Sequence, residues 1–199
     1  MKIAAFSWAV VACGVANVAC AAIVYVDPPD VTLNWSLTPT GFDLNSDARV
    51  DLELLAFAPS NDGRNIAYGP DGGGVRIDPG LGINQLPYAA ALEPGTPIDA
   101  SGPWQRVATL GFYPEFGPHT GHWISTGPRM LALRFPSADG EHFGWVRVSA
   151  DPWQIVLHDF GYESEAGAPI TAGAVPGPGG AGVLVAVSVL GGARRRRRG

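Results

Sequence analysis

Short apolar runs, interrupted by glycine and proline, set the pattern of this chain. In "RVDLELLAF", Asp51 and Glu53 alternate with Val50, Leu52 and Leu54, the period of two that marks a strand with one wet face. Runs of this kind predict strands over residues 31–37, 50–57, 74–77, 104–112, 130–135, 143–150 and 154–162. No helical apolar period is evident between Asp27 and Ser164. In the last strand Val156, His158, Phe160 and Tyr162 fall on one face and Ile155, Leu157 and Asp159 on the other. Both faces are partly apolar, which predicts a central strand. The same alternation sends His158 and Asp159 to opposite faces and argues against a catalytic dyad. Segment 136–141 holds the pair Asp139-Gly140 between two runs, a hairpin signal. The last three strands are therefore expected to form an antiparallel meander.

Composition narrows the class. With 27 Gly and 18 Pro among 199 residues, long helices are excluded and the strands are kept short. The expectation is an all-β fold, an antiparallel β-sandwich of the jelly-roll type with long Gly/Pro-rich loops. Residues 79–102, rich in Pro, Gly and Ala, are expected to cover it as a loop with a short helix near 89–92.

The two ends break this pattern. Lys2 precedes an apolar run at 3–18 and the small-residue sequence Ala19-Cys20-Ala21, the order of a secretory signal peptide cleaved after Ala21 or Ala22. Cys13 and Cys20 leave with it, so the mature body has no disulfide and no cysteine metal ligand. At the other end the apolar run 181–193, thirteen residues, makes a helix about 20 Å long against roughly 30 Å of hydrocarbon in a bilayer. Arg194, Arg195, Arg196, Arg197 and Arg198 follow it. Each would cost about 3 kcal/mol at the bilayer centre, which keeps them on the cytoplasmic side as a stop-transfer brake. The expected layout is a signal helix at 1–22, a β-domain at 23–165, a linker with a sorting motif at 166–178, and a C-terminal transmembrane helix with its arginine cluster at 179–199.

Setting both ends aside changes the charge. Lys2 and the tail arginines take six of the thirteen basic residues, leaving seven against eighteen acidic ones, so the body carries −11 where the whole chain carries −5. Such a surface argues against nucleic acid and anionic membranes as partners, because binding phosphates rests on Lys and Arg.

Val175-Pro176-Gly177-Pro178, the apolar run and the arginine cluster together resemble the tripartite tail of bacterial PEP-CTERM proteins. The Pro-Glu-Pro core of that family is here Pro176-Gly177-Pro178, similar to Val-Pro-x-Pro variants. The resemblance implies recognition by an exosortase, a membrane-embedded, transpeptidase-like enzyme that removes the tail and delivers the product to the envelope or exopolysaccharide. A plain tail-anchored surface protein is the alternative. A second resemblance covers residues 142–173, where Gly144, Trp145, Val146, Arg147, His158, Asp159, Tyr162, Glu163, Pro169 and Ile170 match a segment of many exported proteins with this tail. It implies an exported β-domain whose activity is generally unassigned.

Candidate chemistry in the body is sparse. Asp43, Asn45 and Asp47 occupy positions one, three and five of a calcium-loop pattern, with the Arg49 carbonyl at seven and Asp51 at nine, an alternation of oxygen ligands that suits a hard cation. Ala48 stands where the pattern has glycine and Leu54 where it has a bidentate carboxylate, so a purely structural loop is the competing reading. His119 and His122, with Glu115 nearby, lie in a glycine-rich loop without helical register and read as surface histidines. His122 and Trp123 are the expected surface recognition residues, and Trp145 is expected in the core. Glu53, Glu115, Glu141, Asp159 and Glu163 are raw material for a glycosidase pair, but none forms a clustered motif. No catalytic residues are identified, and the chain reads as no enzyme. The expected role is a structural or binding component of the envelope or extracellular matrix, with exopolysaccharide as an implied partner. The alternatives are a carbohydrate-binding module and a glycoside hydrolase.

Overall fold

The computed structural model describes residues 22–58, 62–80 and 86–177, and the backbone of Val189–Leu190. In chain order its strands are β1 (Ile23–Val26), β2 (Val31–Asn34), β3 (Thr40–Phe42), β4 (Leu52–Phe57), β5 (Gly63–Tyr68), β6 (Gly74–Asp78), β7 (Tyr88–Ala89), β8 (Pro97–Ile98), β9 (Trp104–Gln105), β10 (Val107–Tyr113), β11 (Arg129–Ser137), β12 (Gly140–Asp151), β13 (Gln154–Glu163), β14 (Ile170–Thr171) and β15 (Val189–Leu190). The fold is all-β. Thirteen strands join in one sheet along the path β1-β13-β12-β11-β6-β7-β10-β5-β4-β3-β15, with β2 also on β13 and β9 also on β6. Strands β14 and β8 pair separately. The sheet is mixed because β10 runs parallel to β7, Thr109 beside Tyr88.

Strand β6 joins two groups of strands. Its Gly74 and Val75 pair with Arg134 and Leu133 of β11, while Ile77 and Asp78 pair with Ala89 and Tyr88 of β7. One apolar cluster draws on both groups: Leu131, Leu133 and Phe135 of β11 and Val146 and Val148 of β12 share it with Leu52 and Leu54 of β4 and Leu110 of β10. At roughly 1.5–3 kcal/mol for each large apolar side chain removed from water, this cluster is the main stabilising element. Polar bonds join the groups at one end. The Asn65 side chain donates to the Asp151 carbonyl at 2.6 Å, and the Tyr113 hydroxyl to the Ala150 carbonyl at 3.2 Å.

The meander β11-β12-β13 is antiparallel, as its sequence pattern predicts. Its first turn is centred on Ala138 and Asp139, since Ser137 pairs with Gly140, and Gly140 follows at a φ of 145° that glycine tolerates. Its outer face carries a second cluster, in which Ala132, Phe143 and Trp145 are covered by Leu92, Ile98, Ile170 and Ala172. Trp145 is thus a core residue, and Gly161 faces it. A Cβ there would lie 3.0 Å from the indole, so a side chain at 161 would displace the ring.

Several expectations need correction. Residues 89–92 are not helical: Tyr88–Ala89 is a strand and Leu92 bridges to Met130. Asp51 precedes β4 and is buried, where the alternation put it on a wet face. Residues 166–174, read as the start of a linker, pack onto the body through β14, with Ile170 and Ala172 buried. Val189–Leu190, inside the run expected to be helical, pairs as β15 with Phe42 and Gly41. The rest of that run, the signal segment 1–21, Pro178 and Arg194–Arg198 lie outside the described residues. Among the described residues no helix is long and apolar enough to cross a membrane.

Candidate functional site

The polar site grows from one irregularity in a ladder. Arg147 pairs with Asp159, but the next residue, Val148, pairs with Leu157, so His158 is an extra residue on β13. A bulge of this kind resets the alternation. Ile155, Leu157, Phe160 and Tyr162 all belong to the inner cluster, which corrects the face assignment read from the sequence. His158 and Asp159 both bond to side chains that project from the opposite, outer face of β12, and each takes its own partners.

Asp159 is buried and fully engaged. Arg147 grips it with two bonds, Nε to Oδ1 at 2.8 Å and Nη2 to Oδ2 at 2.6 Å, and the Tyr25 hydroxyl donates to Oδ2 at 2.9 Å. A bidentate, charge-assisted pair is the strong form of such a bond. Burial, then the bond to Asp159, push the Tyr25 phenol up to about 12. The trio therefore fastens β1 to β13 and β12.

Beside it, Ser149 Oγ lies 2.8 Å from His158 Nε2, and His158 Nδ1 lies 3.0 Å from Asp30 Oδ1. Strands fix all three. Ser149 is on β12 opposite Val156 of β13, and Asp30 immediately precedes β2, whose Val31 pairs with Leu157. A carboxylate only accepts, so Nδ1 of the neutral imidazole carries the proton and Nε2 is left to accept from the serine hydroxyl. The His158 side chain is 19% exposed and that of Asp30 62%. Sequence reading missed Ser149 and Asp30 because 119 positions separate them in the chain. The one signal was the outward alternation of Arg147 and Ser149 along "WVRVSA".

The acidic loop before β4 closes on itself. Asp43 accepts the N–H groups of Asp47 at 3.2 Å and Ala48 at 2.9 Å, Asn45 accepts from the Asp47 N–H at 3.1 Å, and Asp47 accepts from the Arg49 N–H at 2.9 Å. Asp51 Oδ2 accepts from the Leu44 N–H at 2.8 Å. Ala48 takes a φ of 66°, a left-handed conformation that a glycine at its pattern position would take without strain. Position twelve, Leu54, is buried in the core and supplies no oxygen. Among the described residues, no group of three or more His, Cys, Asp or Glu side chains is arranged to hold a metal ion. Burial pushes the Asp51 carboxyl up to about 7, with Asp47 and Asp43 adding to the rise.

His142, also buried, lies within the field of Asp51. Its Nδ1 faces the Glu163 carbonyl at 2.7 Å and its Nε2 the Asp139 carboxylate at 2.8 Å. Burial alone would lower its pKa, but the Asp139 and Glu163 acceptors outweigh it and hold the imidazole above its ordinary value.

Of the expected recognition pair, His122 is partly exposed and Trp123 is buried. Trp123 is 1% exposed and its Nε1 donates to the Ala89 carbonyl at 3.2 Å, so it offers no ring to a ligand. His122 Nε2 lies 2.9 Å from Asp78 Oδ2 without hydrogen-bond alignment. His119 packs edge-on against Tyr113 at 5.2 Å. Three of the glycosidase candidates have partners of their own: Glu141 approaches Arg134 at 3.5 Å, Glu163 is buried and accepts from the Glu165 N–H, and Asp159 is held as above. Among the described residues, exposed rings are Phe116, just before His119 in the same segment, and two tryptophans elsewhere. Trp153 is 55% and Trp35 49% exposed, and they stand next beyond the pair Gln154–Asn34 that joins β13 and β2. The Trp35 indole N–H donates to the Ala58 carbonyl, which holds that ring in place. No protein-family model, curated protein or solved structure matches this chain.

Proposed function

We propose that this chain is an exported component of a bacterial cell envelope or extracellular matrix, processed by an exosortase-type enzyme at residues 175–178, and that its β-domain binds a neutral polysaccharide. The two strand groups are the layers of a jelly-roll sandwich in this reading, supported by the apolar cluster they share. The observation that carries the binding role is the pair of exposed indoles at adjoining strand ends, Trp35 and Trp153. Exposed apolar surface of this sort marks interaction sites, and flat rings with a polar N–H suit the mixed apolar and hydroxyl faces of sugars. The charge of −11 on the body argues for a neutral glycan, since an acidic one would be repelled. Support for the processing reading comes from the tail: Val175 and Gly177 are exposed beyond the packed residues at 166–174.

Trp153→Ala tests the binding role. Its affinity for the native exopolysaccharide, read by retardation in gels cast with that polymer, is expected to fall about tenfold or more, a loss of about 1.4 kcal/mol. The unfolding midpoint should hold, because the ring is exposed. Unchanged retardation in both Trp153→Ala and Trp35→Ala would remove the binding role.

A further inference from the structure

We propose that Ser149 is an activated nucleophile, with His158 as its general base and Asp30 as the carboxylate that orients the imidazole, and that the site cleaves carboxylic esters presented to the outer face of the sheet. The inference is independent of glycan binding and of tail processing. It rests on a hydroxyl, an imidazole and a carboxylate in the order that nucleophilic catalysis needs, at 2.8 and 3.0 Å. Each nitrogen has the partner its role requires: Asp30 fixes the proton on Nδ1, which aims the Nε2 lone pair at Ser149.

Three further features support it. The site is open, since the Asp30 side chain is mostly exposed and Ser149 is half-buried on a sheet face. It is rigid, because Ser149 and His158 lie on paired strands and the bulge that turns His158 outward is built into their register. It is also separate from the neighbouring charges, because Arg147 and Tyr25 are both committed to Asp159.

The chemistry balances with water as the co-reactant. Ser149 Oγ attacks the ester carbonyl carbon while its proton passes to His158 Nε2. The bond to the alcohol oxygen breaks, and that oxygen takes the proton from Nε2. Water then attacks the acyl-serine and gives a proton to Nε2, which returns it to Oγ as the carboxylic acid leaves. Ser149 and His158 are the catalytic residues of this scheme, and Asp30 is a positioning residue.

A fluorophosphonate probe tests it on the full-length protein, because it reads activation of the hydroxyl alone: an Oγ–P bond forms, fluoride leaves and Nε2 takes the proton. Peptide mapping by mass spectrometry should find the adduct on Ser149. Ser101, whose hydroxyl bonds to Asp99 without an imidazole, serves as the internal comparison and should remain unlabelled. His158→Gln is expected to slow labelling by about 100-fold or more, the usual contribution of a general base. Asp30→Asn, a change at an exposed position that leaves the fold intact, is expected to slow it by about tenfold or more with an unchanged unfolding midpoint, and Asp30→Glu to recover part of the rate. Absence of an adduct on Ser149 in the folded wild-type protein would overturn the proposal. So would equal labelling rates in wild type, His158→Gln and Asp30→Asn.

Discussion

Trp123→Ala is expected to destabilise the protein by about 3–5 kcal/mol, the range for removing a fully buried large aromatic. The ring belongs to the inner cluster, and its indole N–H is held by the Ala89 carbonyl. Truncation therefore leaves a cavity and removes the donor to that carbonyl. The segment just before the ring is pinned to β10. Thr120 and Phe112 exchange backbone bonds at 2.9 and 2.8 Å, and Gly121 passes so close to β10 that a Cβ would lie 2.5 Å from the Leu110 carbonyl oxygen. Its φ of 127° closes that position to other residues as well. Trp123→Phe keeps much of the apolar contact and should cost less than Trp123→Ala. Urea unfolding measures both. A loss below about 1 kcal/mol for Trp123→Ala would match an exposed ring and contradict the packing described above.

The second large effect is in the pH dependence of stability. Asp51 holds its proton up to about 7 in the folded protein, whereas in the unfolded chain its pKa returns to an ordinary carboxylate value near 4. Between those limits the folded state binds the extra proton, so this group favours folding at low pH and its contribution falls as pH rises through 7. At about 1.4 kcal/mol per tenfold change, the displacement is an effect on the order of 4 kcal/mol. His142 acts in the same direction at higher pH. Its folded value is raised, so its contribution is complete below about 6.5, the ordinary imidazole value, and is lost as pH rises through the folded value. Stability should therefore fall from pH 4 to pH 8. Asp51→Asn keeps an oxygen for the Leu44 N–H and removes the titration. It is expected to flatten the curve, matching wild type near pH 4 and exceeding it by a few kcal/mol at pH 8. Parallel pH curves for the two proteins would show that Asp51 ionises normally.

What the sequence made legible is what alternation alone controls. The runs at 143–150 and 154–162 fall inside β12 and β13, and Asp139-Gly140 marks their neighbouring turn. Trp145 is buried as read. Short strands escaped where small residues blur the pattern: β5 reads "GRNIAY", with its apolar residues Ile66 and Ala67 side by side. The face assignment of β13 failed at His158 because one inserted residue inverts every later position, and nothing local to "VLHDF" marks it. The glycine and histidine beside Trp123 suggest a surface position for it. Its burial depends on Ala89 and Leu110, which the chain brings in from elsewhere. The Ser149, His158 and Asp30 contacts escaped for the same reason, since only the pairing of β2 with β13 brings Asp30 to the imidazole.

Export followed by removal of the tail is the central claim, and the intact mass of the protein recovered from the native envelope and medium tests it most directly. The predicted mass lacks the first 21 or 22 residues and everything past about Pro178. A mass that retains Arg194–Arg198 would contradict the claim and leave the tail as an anchor only.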